Sequence, residues 1–214
     1  MANAVSGLKR GLSWRDLLVT LAIIGFFYVS IRFLSAQLPN LTSHGDIAWA
    51  YVLHVLGGVV VLALGPFQFV RPIRDRFRRY HRWAGYAFVA GSLAAFVGFL
   101  ALMPSARDTF LPSQATAMGL WMLAMFAAVV AARRKHFLTH RHNMTRAFVI
   151  ATYFIIVRVI DPWGMQFIGP WLGSSEDAAL AHSDWLAWIV PLLFVELYYG
   201  VKWDRLVGRS AKPS

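Results

Sequence analysis

The chain has 214 residues, of which 58% are hydrophobic and only 14% charged, with a formal net charge of +11. An average soluble domain carries about 25% charged residues, so lipid rather than water is the expected solvent for most of this surface. With no cysteine, disulfides, thiolate metal sites, iron–sulfur clusters and haem attached through a Cys-x-x-Cys-His run are all excluded, and a metal would have to be held by His, Met, Asp or Glu.

Six apolar stretches follow in chain order, at 17–34, 47–69, 84–103, 115–132, 147–160 and 185–201. Each is near the ~20 residues that a helix needs to cross a hydrocarbon core, the fifth being short. The expected fold is therefore all-α, a single membrane domain over 1–214 built as a six-helix transmembrane bundle. The Lys and Arg residues gather before the first stretch, in 70–82, in 133–146 and after the sixth, leaving only Arg32, Arg107 and Arg158 on the other side. Short basic connections stay in the cytoplasm, which predicts a multi-pass protein of the cytoplasmic membrane with both termini inside. The opposite side collects Asp46, Asp108, Asp161, Glu176, Asp177 and Asp184. Anionic lipid headgroups suit the basic face; nucleic acid does not, because the basic residues lie between apolar spans rather than on a recognition element.

The first stretch follows Lys9, Arg10 and Arg15 as a secretory signal would, but no small-x-small cleavage site follows and an uncleaved helix is expected. Gly57, Gly58 and Gly65 in the second stretch, with Gly91 and Gly98 in the third, predict close backbone approach between helices. Pro66 and Pro191 should kink their spans. The connection 161–184 is the longest, interrupted by Pro162, Gly164, Gly169, Pro170 and Gly173, and leaves room for a short interfacial helix but no soluble domain.

His54 falls about two turns into the second stretch, roughly 10 Å below the outer surface at the rise of a helix. An ionisable residue at that depth is either functional or a neutral imidazole bonded to a neighbouring helix carbonyl. His81, His136, His140 and His142 gather at the inner ends of the third, fourth and fifth stretches. Imidazoles from two helices at equal depth can ligate a haem from both faces, and Arg78, Arg79, Arg82 and Arg141 can pair with its propionates. His81 and His140 each follow a basic segment and precede Arg and a membrane span, so spans two–three and four–five read as a pseudo-repeat. His140 and His142 point in different directions on a helix, and only one of them should face His81. The methionines Met118, Met122 and Met125 read as packing. Glu196, inside the sixth stretch, needs a partner, and Arg146 is nearest in depth; Arg158 has Asp46, Asp161 or Asp184 within reach of its level. The chain contains no phosphate loop, dinucleotide fingerprint, His-Glu-x-x-His helix or Gly-x-Ser-x-Gly elbow, which leaves hydrolytic and nucleotide-driven chemistry without support.

His54-x-x-Gly57, Gly65-Pro66-Phe67-Gln68-Phe69, His81-Arg82-Trp83-Ala84-Gly85 and His140-Arg141-x-x-Met144-x-Arg146 resemble a bacterial family of predicted membrane proteins, domain of unknown function 2306. The resemblance runs from the second stretch through the sixth and implies that His54, His81, His140, Arg146 and Glu196 belong to one constellation. More loosely, helical hairpins bearing membrane histidines are similar to transmembrane b-type cytochromes, although this chain lacks the two histidine pairs at two depths of a di-haem relay.

Three functions are weighed. The leading expectation is a redox protein holding haem b, or another metal, between His81 and His140 or His142, with His54, Arg82, Arg146 and Glu196 in the cofactor-binding set and quinone as electron partner. The second is a non-catalytic subunit or assembly factor of a larger membrane complex. The third is a small-solute or proton transporter, with His54, Arg158 and Glu196 along a polar path.

Overall fold

The computed structural model describes residues 24–32, 35, 45–70, 75–106, 108–163, 166, 170 and 175–210, with the backbone alone at 159–163, 176 and 203–210. Its regular structure among these residues is helical throughout. Helix α1 spans Ala48–Phe69, α2 Arg78–Leu102, α3 Leu111–Arg133, α4 Phe137–Ala151, α5 Tyr153–Trp163 and α6 Glu176–Ser210. A further helical run covers 24–32.

Among the described residues, four helical segments are long and apolar enough to cross a membrane: Gly45–Phe69, Arg78–Ser105, Leu111–Arg133 and Asp177–Lys202. They coincide with the second, third, fourth and sixth expected spans. Of the first span only 24–32 is described, and Lys9, Arg10 and Arg15 lie outside the described residues. The fifth span, 147–160, is divided between α4 and α5 at Thr152. There the Thr152 hydroxyl donates to the Val149 carbonyl at 2.6 Å, a local bond that competes with continuation of the helix.

The helix ends differ from the apolar windows, because a hydrogen-bonded helix continues past the lipid-facing run until the backbone is stopped. α2 begins at Arg78, so His81 and Arg82 are helical. α4 begins at Phe137, ten residues ahead of the apolar stretch at 147, so Arg141 and Arg146 are helical along with His140 and His142. α6 begins at Glu176, so Asp177 and Asp184 belong to it and not to the outer connection. Between α3 and α4 the chain reverses through a Schellman turn. His136 N–H reaches the Ala131 carbonyl at 2.8 Å and Lys135 N–H the Ala132 carbonyl at 3.0 Å. Lys135 occupies the left-handed position with φ 61°.

Two helix pairs dominate the packing, α1 on α2 and α3 on α4, and α6 closes against α3, α4 and α5. Glycine makes the first pair close: a Cβ on Gly57 would stand 2.5 Å from the Ala95 nitrogen and the Gly91 oxygen, and one on Gly98 would stand 2.5 Å from the Ala50 oxygen. Gly65 gives its space to the Phe148 ring, whereas Gly58 has nothing within 4 Å and takes no part in the contact. Phe88, Met118, Trp121, Met125, Tyr153 and Trp188 share the central core, so Met118 and Met125 are packing groups, as expected.

Candidate functional site

Two polar clusters lie in the bundle, set apart along α6 by the twelve residues from Asp184 to Glu196, about 18 Å of helix. The first joins α4 to α6. Arg146 donates from Nε and Nη2 to the two Glu196 oxygens at 2.5 and 2.8 Å, and from Nη1 to Asn143 Oδ1 at 3.1 Å. Tyr199, one turn beyond Glu196, donates to Thr145 Oγ1 at 2.8 Å. The His142 ring stacks on Tyr199 with centroids 3.9 Å apart, and the Arg146 guanidinium lies over the same tyrosine at 5.7 Å. The pairing expected of Arg146 and Glu196 is thus present, and it recruits His142. Burial pushes the His142 imidazole below the usual histidine range; Arg141, Arg146 and Lys202 add to this, against the opposing pull of Glu196.

His140 is turned the other way. Its Nδ1 donates to the Ala128 carbonyl of α3 at 2.9 Å. A carbonyl only accepts, so Nδ1 carries a proton in this bond and Nε2 is the ring nitrogen left for another partner. His54 repeats the arrangement in the other hairpin, with Nδ1 donating to the Ala95 carbonyl of α2 at 2.8 Å and its ring edge-on to Phe154 at 5.4 Å. The bond to a neighbouring helix carbonyl that one of the two readings of His54 requires is therefore present. The histidines that share this feature are His54 and His140, not the pair His81 and His140 that the repeated sequence aligns. His81 is half-buried in the first turn of α2, with Arg82 and His136 exposed. Among the described residues no three His, Cys, Asp or Glu side chains gather to hold a metal ion.

The second cluster was not foreseen as a site. Asp184 is 4% exposed, and its Oδ1 accepts from the Tyr153 hydroxyl at 2.5 Å. The Trp188 indole nitrogen, one turn on, donates to Ser113 Oγ at 3.1 Å. Tyr153 and Asp184 border a cavity of about 260 Å³ lined also by Phe110, Gln114, Phe154, Val157, Arg158 and Leu180. Gln114 and Asp184 each stand one residue outside an expected span, at 115–132 and 185–201, and Tyr153 is hidden within an apolar run. Polar residues bordering two apolar stretches at one membrane level were the signal available.

The chain belongs to the predicted membrane protein family DUF2306, whose match covers residues 51–199 and so includes both clusters. No curated protein and no solved structure matches it.

Proposed function

We propose that this member of the family crosses the bacterial cytoplasmic membrane six times, with both ends inside, and holds one b-type haem between His81 and His140 at its inner face. Four crossings are the long apolar helices. The helical run 24–32 continues the first predicted span, and α4 with α5 supplies the fifth through 147–163. The Lys and Arg distribution sets the direction.

The observation that carries the haem assignment is the tie from His140 Nδ1 to the Ala128 carbonyl at 2.9 Å. Histidines that ligate a metal almost always donate their other ring N–H to a carbonyl or carboxylate, which fixes the tautomer and aims the lone pair. His142 has its ring engaged in the stack on Tyr199 beside the Arg146 cation, which supports His140 rather than His142 as the ligand. The exposed guanidiniums of Arg78, Arg79 and Arg82 stand in the same turns as His81 and suit propionates. A b-type haem supplies one-electron chemistry, with a quinone or a membrane complex as the partner.

The test is haem and metal content per chain in detergent-purified protein from haem-supplemented cells. About one haem per chain is expected; colourless protein without stoichiometric metal would refute the assignment and favour a non-catalytic membrane subunit.

A further inference from the structure

The Asp184 cavity has no role in a haem site at the other end of the bundle, yet its chemistry is specific. Asp184 is all but fully buried, and while Oδ1 accepts from Tyr153, Oδ2 has no hydrogen-bond partner among the described residues. A buried carboxyl oxygen left unpaired is costly, and it is tolerated where function requires an acceptor. Arg158, an exposed residue, lines the same cavity and brings a positive charge to the space that the carboxyl borders. Gln114 adds an amide that donates and accepts. The remaining lining, Phe110, Phe154, Val157 and Leu180, is apolar.

From this arrangement we infer that the cavity binds a small organic zwitterion of the amino-acid class, its ammonium on Asp184 Oδ2, its carboxylate on Arg158 and an aliphatic or aromatic side chain against the apolar wall. A simple cation would meet the field of Arg158, and a simple anion that of Asp184. A zwitterion complements both, and the discrimination comes as much from the unmatched charge as from the matched one. The volume of about 260 Å³ lies just below the usual ~300–1,000 Å³ of ligand pockets, which suits a solute of leucine or phenylalanine size.

Equilibrium binding of radiolabelled leucine and phenylalanine to the purified full chain in detergent tests this, with 3-methylbutylamine, 4-methylpentanoate and an uncharged quinone analogue as competitors. The expected result is saturable binding of at least one amino acid, with the acid and the quinone analogue, which leave the buried Asp184 unmatched, weaker by roughly 30-fold or more, and the amine, which leaves only the exposed Arg158 unmatched, weaker by a smaller factor. Asp184→Asn should weaken binding as much as loss of the ammonium does, and Arg158→Gln as much as loss of the carboxylate does. Leu180→Trp, which fills the cavity without removing a charge, should abolish binding, and His136→Ala should leave it unchanged. Absence of saturable amino-acid binding overturns the inference, as does displacement by the amine, the acid or the quinone analogue as effective as by the amino acid, or full binding by a folded Leu180→Trp protein. Haem content is read separately on the same samples, so failure of either assignment is distinguishable from failure of the other.

Discussion

Arg146 and Glu196 meet fork to fork across α4 and α6, two parallel hydrogen bonds of 2.5 and 2.8 Å joining residues fifty positions apart. The pair is partly exposed, at 30% and 42% of the side chains, so its strength falls between that of a surface pair and a buried one. A double-mutant cycle of Arg146→Met and Glu196→Gln, followed by unfolding in micelles, should give a coupling of about 1–2 kcal/mol. Arg146→Lys should lose most of it, because an ammonium does not reproduce the bidentate geometry.

The α1–α2 contact depends on missing side chains. Gly98→Val and Gly57→Val should each destabilise the protein by about 1–3 kcal/mol, since the added atoms meet backbone rather than a movable side chain. Gly58→Ala, with open space around it, should be neutral or slightly stabilising. Thermal unfolding of the three variants side by side checks this.

Lys135 holds a left-handed backbone at φ 61° where glycine is usual. Lys135→Gly should raise stability by about 1 kcal/mol through relief of that conformation. Lys135→Val should lower it, and loss of the Schellman turn would appear as faster amide exchange at His136.

His142, outside the four long apolar helices, has its imidazole held below the ordinary value chiefly by burial. The unfolded chain then takes up a proton near pH ~6.5 that the folded chain resists. Stability should be full above that pH and fall as pH drops through it. His142→Phe, which retains the stack on Tyr199, should flatten this dependence between about pH 5 and 7; an unchanged slope would show that other groups set it.

Much of the architecture is legible in the sequence, because runs of ~20 apolar residues have few alternatives to a membrane helix. The helix ends are not, since hydropathy reports lipid contact while the backbone of α2, α4 and α6 continues into charged segments. That difference places Arg146, ahead of the fifth apolar stretch, on a helix and Asp184, in the outer connection by hydropathy, within α6. Gly57 and Gly98 were readable as contact residues, but Gly58 matched the same pattern, and composition does not say which side of a helix a neighbour occupies. The partnership of Arg146 and Glu196 followed from depth alone. Tyr153 and Asp184 did not follow, because their bond depends on how α5 packs against α6.

The most direct measurement is the reduced-minus-oxidised absorbance spectrum of the purified protein, recorded for wild type and for His81→Ala, His140→Ala, His142→Ala and His136→Ala. The account predicts a sharp pair of visible bands that is lost in the His81 and His140 variants and kept in the His142 and His136 variants. A flat wild-type spectrum, or bands that survive removal of His140, would contradict it.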